Sequence, residues 1–380
     1  MCFELSDQNQ AIMNSVRSFT EREVAPCDAR MDEDNEINPL ILRKMKEIGL
    51  WGLIGPPEFG GAGADGFGVI IAMEELAKGS ASIAITIDAH WLCLQGIDSF
   101  GNQEQKKRYL PALCSGSTIG AFSWTEPGAG SDAANIQSKA GRGGNGYLLN
   151  GEKCFCTNGD LAGAFLIGAV TGHSSAHEGL SIFIVEKGAP GLTVGPKENK
   201  MGLRGSHTTT LFLEDVAVSE QNILGEEGDG FRIFANVLNT GRLAVAGISI
   251  GLADAAMNAS IDYAVKRQAF GKPLAQQQAV QFMIADMDTR INAARGLAYH
   301  AAHRASQGLP CFKEAAQAKY FASEVALDVC RHAVQIHGGH GYLKDYPVER
   351  YFRDAKFAEI GEGASEVLRT LVAKAILKTK

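Results

Sequence analysis

The spacing of apolar residues divides the chain into two helical parts that flank a β-rich part. Apolar residues follow helical spacing from residue 5 to about residue 118, and Ser6 stands where it can cap the first helix. From Ile119 to about Leu224 the chain consists of short runs rich in β-forming residues, and after GEEGDGF it is helical again. This order predicts a mainly α protein with a middle β-domain.

The same pattern gives three domains, at residues 1–118, 119–228 and 229–380. Strands and helices do not alternate, which argues against a parallel doubly wound sheet. The segment Leu243–Arg267 is apolar on nearly every face, as expected of a helix inside a bundle. In the β-rich part, the pair Asn150-Gly151 lies between two strand-like runs and predicts a tight hairpin turn.

The composition narrows the class of protein. With 380 residues, 45% of them hydrophobic, and only 11 Pro, the chain is typical of a folded globular protein and not of a disordered one. Its net charge of −7 argues against a large nucleic-acid surface. The eight Cys are irregularly spaced, which matches neither a disulfide framework nor a paired metal site. We expect a reducing compartment and no bound metal.

No uninterrupted apolar run has the roughly 18–20 residues that cross a bilayer. The start of the chain, MCFELSDQNQ, carries neither the basic region nor the apolar core of a signal peptide. We therefore expect no membrane partner, and a protein of the bacterial cytoplasm or the mitochondrial matrix.

The first stretch that could carry chemistry is FSWTEPGAGSD, at residues 122–132. Its Pro-Gly sequence predicts a tight loop. The loop amides, with the hydroxyls of Thr125 and Ser131, could face an anion or an electron-poor ring edge. A plain turn that ends with Asp132 as a helix cap is the alternative.

Three more stretches add candidate ligand contacts. CFCTN places Phe155 and Thr157 on one face of a strand, where a ring and a hydroxyl suit a conjugated ligand. KRQAFGKPLAQQQ places Arg267 and Lys272 after a long helix, where they could neutralise a phosphate or simply favour the helix dipole. QIHGGHGY ends a helix with glycines that let a ligand or backbone come close.

The stretch EIGEGASEVLR places one carboxylate, Glu362, between Gly361 and Gly363, just before an apolar segment. Helix rules alone interpret Glu362 as a first-turn charge that favours the helix dipole. The two glycines are equally consistent with a carboxylate against which a ligand must lie.

In this order and spacing, the stretches FSWTEPGAGSD, GEKCFCTN, RQAFGKP, QIHGGHGY and RDAKFAEIGEGASEVLR resemble the acyl-CoA dehydrogenase family along essentially the whole chain. The resemblance implies an N-terminal helical domain, a middle β-barrel-like domain and a C-terminal four-helix bundle. It also implies one FAD per subunit, a homotetramer built as a dimer of dimers, and electron-transferring flavoprotein as the electron acceptor.

The family pattern also implies roles for individual residues. Contacts with the flavin ring are implied for Phe122, Trp124, Thr125, Ser131, Phe155 and Thr157. Contacts with the FAD of a neighbouring subunit are implied for Arg267, Phe270, Gln278, Gln335, Gly338 and Gly339, and further cofactor contacts for Ala364, Ser365 and Glu366. Contacts with the substrate are implied for Ser131, Asn239, Arg242, Gly361 and Gly363.

Glu362 matches the catalytic base of the family. The α-proton of a thioester is weakly acidic, so its removal needs a carboxylate of raised pKa in a dry site while hydride passes from Cβ to the flavin N5. Gly363 would leave the amide of the base free to bind the thioester carbonyl. Some relatives carry the base at the position of Gly241, where this chain has no carboxylate.

Two features bear on the acyl group. Straight-chain relatives often have Tyr at the position of Gly361, so this residue and Gly241 predict an enlarged pocket. That favours a short, branched or cyclic acyl group, such as cyclohexanecarboxyl-CoA or a 2-methylacyl-CoA, with a straight short chain as the alternative.

Asp88 matches a position that lines the acyl pocket in the family, and Ile85 and Leu92 share its helix face. There it could act as a second acid or base on a ring, because a buried charge needs a partner. An Asp at a helix end or in contact with water is the alternative. We also expect His90 and Trp91 to narrow the pocket.

Two other functions stay open. An acyl-CoA oxidase is disfavoured because a second C-terminal domain, common in oxidases, is not seen in the 380 residues. A catalytically silent flavin- or CoA-binding protein is disfavoured because Glu362 and the flavin set are both retained.

Overall fold

A computed structural model describes residues 5–172 and 179–378 of the chain; Met1 to Glu4, including Cys2, lie outside the described residues. The N-terminal part is helical, with α1 (Asp7–Phe19), α2 (Ala25–Asp34), α3 (Pro39–Glu47), α4 (Gly66–Gly79), α5 (Ala81–Phe100) and α6 (Gln103–Cys114). Ser6 caps α1 as predicted, because its hydroxyl accepts a hydrogen bond of 3.2 Å from the Asn9 amide.

The middle part consists of β1 (Gly120–Ser123), β2 (Lys139–Gly143), β3 (Gly146–Thr157), β4 (Ala164–Val170), β5 (Leu180–Glu186), β6 (Leu192–Lys197), β7 (Thr208–Ser219) and β8 (Ile223–Leu224). They form one sheet in the order β6-β7-β3-β2-β4-β5-β8, with β1 beside β4. Pairing is antiparallel except where β4 meets β1 and β2. The fold class, mainly helical with a middle sheet, is confirmed.

Asn150 and Gly151 do not form the predicted hairpin turn. They lie inside β3, at a shift of its register against β7, where the Asn150 side chain donates to Asp215 (2.8 Å) and accepts from the Asp215 amide (2.9 Å). The hairpin turn lies instead at Gly144-Asn145, where β2 and β3 pair Gly143 with Gly146. The extra residue of this β-bulge lies in β7, where Asp215 has φ +51°, because Leu149 pairs with Val216 and Gly151 with Leu213. Long-range pairing with β7 therefore outweighs the local turn preference of Asn-Gly.

The C-terminal part contains α7 (Gly230–Lys266), the short pair β9 (Gln268–Ala269) and β10 (Lys272–Pro273), then α8 (Gln278–Ser306), α9 (Phe312–His337), α10 (Val348–Ala358) and α11 (Ser365–Leu377). Its core helix α7 is about 55 Å long at 1.5 Å per residue. By length and composition α7 alone, among the described helices, could cross a membrane, although the sequence suggested no such stretch. Of that apolar window 72% is buried inside the protein, as in a core helix.

Close contact between α7 and α4 joins the two helical parts. A Cβ on Gly247 would lie 2.6 Å from the Ile70 carbonyl oxygen, so the two backbones meet without a side chain between them. The helix α5 also packs against α7. Residues of α5 and α7 therefore face each other at the point where the site forms. The predicted domain boundaries fall between elements, and the division itself stays a prediction.

A buried ion pair fixes the loop between β1 and β2. Lys153 is fully buried, and its Nζ lies 2.6 Å from Glu126 Oε1 and 3.1 Å from the Trp124 carbonyl oxygen. The Glu126 carboxylate also accepts the amides of Gln137 and Ser138. The loop that carries FSWTEPGAGSD is thus tied to β3 by a charged group.

Replacing Lys153 with Met is expected to lower stability by about 3–5 kcal/mol, because it leaves the Glu126 carboxylate buried without its counter-charge. Thermal or urea unfolding measures the loss. Adding Glu126→Gln should restore part of it. Arg108→Met, which removes a partner of the exposed pair with Glu186, should cost no more than about 1 kcal/mol. Equal losses in Lys153→Met and Arg108→Met would contradict the assignment.

Candidate functional site

Glu362 lies in the turn between α10 and α11 and not in the first turn of a helix, since α11 begins at Ser365. Its φ is +54°, and that of Gly363 is +99°. Two successive residues in the left-handed region reverse the chain sharply, and such strain in a non-glycine residue is characteristic of functional sites.

Gly241 on α7 makes room for the Glu362 carboxylate. A Cβ at position 241 would lie 2.7 Å from Glu362 Oε2 and 3.1 Å from Leu92 Cδ2 on α5. Any side chain there would displace the carboxylate. In the sequence, Gly241 indicated only that the alternative base of some relatives is absent. The structure shows that a residue without a side chain is also needed at 241 for Glu362 to occupy this position.

Glu362 is partly buried, and one of its carboxylate oxygens is shielded from water. Its Oε2 is buried and has no partner among the described residues. Burial raises the pKa of Glu362 to about 7, against the opposing charges of Lys319 and Arg242. A carboxylate of this kind is a proton acceptor near neutral pH.

Asp88 is a second buried carboxyl group beside Glu362. It lies within α5, four residues before Leu92, and both of its oxygens are buried without a partner among residues 5–172 and 179–378. Burial, together with the charge of Glu362, raises the pKa of Asp88 well above its usual value. The alternative of an Asp at a helix end or in water is excluded by this burial.

Arg242 follows Gly241 and is also buried. One guanidinium nitrogen donates to Asn239 Oδ1 at 3.2 Å, and the guanidinium carbon lies 4.8 Å from the centre of the Phe312 ring. Its Nε is buried without a partner in the described part of the chain. Burial lowers the pKa of Arg242 to about 10, which leaves it charged at neutral pH.

Sequence reasoning missed Lys319 and Phe312. Lys319 is fully buried on α9, and its Nζ donates to the Gly363 carbonyl oxygen at 2.6 Å. A signal was present, because Lys319 stands at helical spacing between the buried residues Ala315 and Ala322. A lone Lys on an apolar stripe demands a partner. Phe312 gave no comparable signal.

Gly361 does not open free space. A Cβ there would overlap the Phe357 ring, with Cε2 at 2.7 Å and Cζ closer still, so this ring fills the position. Since Glu362 fills the space at Gly241, the prediction that these two glycines enlarge the acyl pocket is not supported.

A cavity of about 180 Å³ lies beside the turn. It is lined by Ile85, Thr157, Lys200, Met201, Gly202, Leu203, Ser206, Thr208, Arg353, Lys356, Phe357 and Ile360. Phe155, two residues before Thr157, is 68% exposed. The regular alternation from which a shared face was predicted is interrupted, because the register of β3 shifts between Lys153 and Cys156 and Phe155 has φ +56°.

The loop FSWTEPGAGSD forms the predicted tight turn, in which Glu126 and Ala129 exchange backbone hydrogen bonds. Trp124 is buried, stacks on Phe234 with ring centres 4.3 Å apart, and donates its ring N–H to the Ala133 carbonyl. Phe122 stacks on the same Phe234 ring. Thr125 is partly buried, whereas Ser131 is exposed.

The residues predicted to serve a neighbouring subunit lie at the far end of the bundle. Arg267 follows α7 and stands 26 residues beyond Gly241, about 39 Å along the helix. Exposed at this end are Arg267, Phe270, Gln278, Gln335, Gly338 and Gly339. A hollow of about 440 Å³, lined by Tyr263, Arg267 and His337 among others, lies here. It is larger than the cavity lined by Thr157 and Phe357.

The remaining predicted residues surround the start of α11. Ser365 is buried with an unpartnered hydroxyl in the described structure, Ala364 is partly buried, and Glu366 is exposed. His90 and Trp91, expected to narrow the pocket, bond instead to the backbone of Leu50 and Trp51. These two rings anchor α5.

The residues near the turn fit a flavin. The exposed Phe155 ring, the Thr157 hydroxyl on the cavity wall and the loop after Pro127 offer a flat apolar surface with donors at its edge. No group of three or more His, Cys, Asp or Glu side chains suited to a metal converges within the described ranges.

Three family models match the chain. They are described as Acyl-CoA dehydrogenase, N-terminal domain (residues 6–117), middle domain (residues 121–216) and C-terminal domain (residues 228–377). An acyl-CoA dehydrogenase of Bacillus subtilis (strain 168) is 45% identical over 97% of this chain and 98% of its own length. A short-chain specific acyl-CoA dehydrogenase of Clostridium acetobutylicum is 42% identical over the full length of both chains.

Solved structures of similar sequence have the same fold as this chain. The butyryl-CoA dehydrogenase of Megasphaera elsdenii superposes with a TM-score of 0.97 at 41% identity, over 99% of this chain and 100% of its own. A chain solved in a study of the electron transferring flavoprotein of Acidaminococcus fermentans gives 0.97 at 43% identity over 100% of both. PigA with FAD and proline gives 0.95 at 28% identity over 99% of both.

Replacing Gly241 with Ala is expected to move the Glu362 carboxylate while the fold persists, because the clashing atom is the far end of a flexible side chain. The gain of up to about 1 kcal/mol from Ala in a helix should offset most of the strain. Crystal structures and thermal unfolding of the variant test this.

The matched control is Gly296→Ala. Gly296 is also helical but has no atom within 4 Å of an added Cβ. It should be stabilised with Glu362 in place. An unmoved Glu362 carboxylate in Gly241→Ala would contradict the proposed contact.

Proposed function

The chain belongs to the acyl-CoA dehydrogenase family and is an oxidoreductase that acts on acyl-CoA, and we propose that Glu362 is its catalytic base in the α,β-dehydrogenation of a short acyl-CoA. The observation that carries this proposal is Oε2 of Glu362, a carboxylate oxygen that is buried without a partner in the described chain. Burying such a group is costly unless a ligand uses it.

The reaction removes a proton from Cα and a hydride from Cβ. Glu362 in its ionised form takes the proton and becomes a neutral carboxylic acid, which burial favours. Bound FAD would accept the hydride, so that the thioester gains a C=C bond and the cofactor is reduced. The proton comes from the broken Cα–H bond and the hydride from the broken Cβ–H bond.

The turn geometry also supports binding of the thioester carbonyl. The amide of Glu362 makes no hydrogen bond to another described residue. A free N–H beside the base could stabilise the negative charge that develops on the thioester oxygen.

Binding of FAD and of coenzyme A is proposed for the predicted residues. Phe155, Thr157 and the loop around Thr125 would receive the flavin ring, and Arg267 with Gly338 and Gly339 would serve the cofactor of a neighbour in a homotetramer. The 39 Å along α7 supports this division, because no side chain spans it. Arg242, with Asn239 and Phe312, would hold the CoA moiety.

A short straight acyl chain is the substrate class that we favour. The Phe357 ring and the Glu362 carboxylate fill the space beside Gly361 and Gly241, which disfavours a bulky branched or cyclic group there. The relatives from C. acetobutylicum and M. elsdenii are named for short-chain acyl-CoA and butyryl-CoA. We further propose electron-transferring flavoprotein as the electron acceptor. The reduced flavin of a dehydrogenase should be reoxidised faster by that protein under anaerobic conditions than by oxygen alone. An oxidase should show the reverse.

A second candidate is the dehydrogenation of a cyclic acyl-CoA. Its support is Asp88, a buried carboxyl group with two unpartnered oxygens in the described structure, close to Glu362. In this role Asp88 would act as a second acid or base on a ring carbon.

Glu362→Gln is expected to lower the rate of flavin bleaching by acyl-CoA by a factor on the order of 10³, because the amide cannot accept the proton. Stopped-flow absorbance under anaerobic conditions measures this rate. Glu324→Gln removes an acid that pairs with Arg369 on the outside of α9 and should bleach at the wild-type rate. Undiminished bleaching in Glu362→Gln would remove this residue from the mechanism.

A substrate panel separates the two candidates. With butyryl-, isobutyryl-, 2-methylbutyryl-, cyclohexanecarboxyl- and octanoyl-CoA, we expect butyryl-CoA to bleach fastest, and Asp88→Asn to change that rate less than tenfold. If cyclohexanecarboxyl-CoA is the best substrate and Asp88→Asn abolishes only its turnover, the cyclic candidate is correct.

A further inference from the structure

The turn that carries Glu362 is tied to the bundle by a buried ammonium group. Lys319 is fully buried on α9, and its Nζ donates to the Gly363 carbonyl at 2.6 Å. Backbone hydrogen bonds of the turn run from the Ile360 and Gly361 amides to the Phe357 carbonyl and from the Ser365 amide to the Glu359 carbonyl. Lys319 adds a restraint directly after the strained residue.

The surroundings of Lys319 are unusual for a buried lysine. No carboxylate lies within the 4.0 Å of an ion pair with its Nζ in the described part of the protein. Lys153, the other fully buried lysine, has the Glu126 carboxylate at 2.6 Å. A structural lysine buried at this depth normally has such a partner. Lys319 has only the carbonyl that follows Glu362.

The charges around Glu362 come from three helices. Asp88 faces it from α5, Arg242 from α7 and Lys319 from α9. Arg242 is already bonded to Asn239 and stacked on Phe312. Lys319 in turn faces Glu362, Glu359 and Glu366, which favour its ammonium form, and Arg242, which disfavours it. Among these groups, Lys319 alone donates a hydrogen bond to the turn and also lowers the pKa of Glu362 against the effect of burial.

We infer that Lys319 is a positioning residue for Glu362: its ammonium group fixes the turn through Gly363 and favours the ionised form of the neighbouring carboxylate. This inference rests on the proposed role of Glu362 as the base. It assigns to Lys319 no contact with substrate or cofactor.

The sign of the pH effect follows from these charges. Burial raises the pKa of Glu362 to about 7, and the Lys319 charge holds it from rising further. The base works only when ionised, so bleaching should increase as pH rises through about 7 in the wild type. Burial lowers the pKa of Lys319 to about 8, so its ammonium persists over most of this range. Without the ammonium, the rise should occur at higher pH.

Three variants separate charge from hydrogen bonding. Lys319→Met removes both, Lys319→Gln keeps a donor for the Gly363 carbonyl, and Lys319→Arg keeps the charge. Lys313→Met removes a lysine from the same helix whose side chain is 40% exposed, and serves as the matched control. FAD content and thermal unfolding identify any variant that fails to fold.

The first measurement is the pH profile of anaerobic flavin bleaching. In Lys319→Met and Lys319→Gln, the acid limb should move up by about one pH unit, since a nearby opposite charge shifts a carboxyl pKa by about that amount. The rate should fall about tenfold below pH 7 and return toward the wild-type rate at high pH. Lys319→Arg and Lys313→Met should keep the wild-type limb.

The second measurement does not depend on turnover. Infrared titration in an Asp88→Asn background, with the spectrum of Asp88→Asn/Glu362→Gln subtracted, removes the signal of the neighbouring acid and reports protonation of Glu362. Its midpoint should move in parallel with the acid limb.

Either an unshifted midpoint in folded Lys319→Met and Lys319→Gln, or a rate loss equal at all pH values, would overturn the role of Lys319. Undiminished bleaching in Glu362→Gln would instead overturn the proposed base, and the two failures are therefore distinguishable.

Discussion

The site depends on one contact, between the carboxylate of Glu362 and the bare backbone of Gly241. A buried carboxylate without hydrogen-bond donors is unstable relative to water, and it persists only where the surrounding structure leaves it no other place. Here the turn with left-handed backbone at Glu362 and Gly363 places the Glu362 side chain against α7, at Gly241, which has no Cβ to displace it. The same burial that costs stability raises the pKa of Glu362 to about 7 and makes it a useful base.

The rest of the scaffold can be understood as support for this contact. The close approach of α4 and α7 at Gly247 joins the N-terminal helices to the bundle and brings the α5 face with Asp88 and Leu92 against Gly241. From the opposite side, α9 supplies Lys319 to the turn. Three helices that are distant in sequence thus surround one carboxylate. Two cations and two acids meet there, so the protonation of each depends on the others.

The β-rich part contributes to the site through a buried ion pair and an irregular strand. Lys153 and Glu126, both buried, join β3 to the loop that contains Thr125. On the same strand, near a second shift of register, Phe155 is exposed and Thr157 lies on the wall of the cavity that Phe357 and Ile360 also line. Because the strand is rigid, a ligand on this face would be held at a fixed place relative to Glu362, which is what hydride transfer requires.

The order of helices, strands and helices, the tight turn at Pro127 and the isolation of Glu362 between two glycines could be predicted from the amino-acid sequence, because they depend on local spacing and on residue type. The sequence-based prediction was wrong at Asn150-Gly151, where pairing with a distant strand outweighed the turn preference, and at Gly361 and Gly241, which were interpreted as open space. The three-dimensional packing was needed to show that Phe357 and Glu362 fill those spaces, that Asp88 is buried, and that Lys319 reaches the turn. Those facts depend on contacts between residues far apart along the chain, whose burial and charge no local pattern encodes.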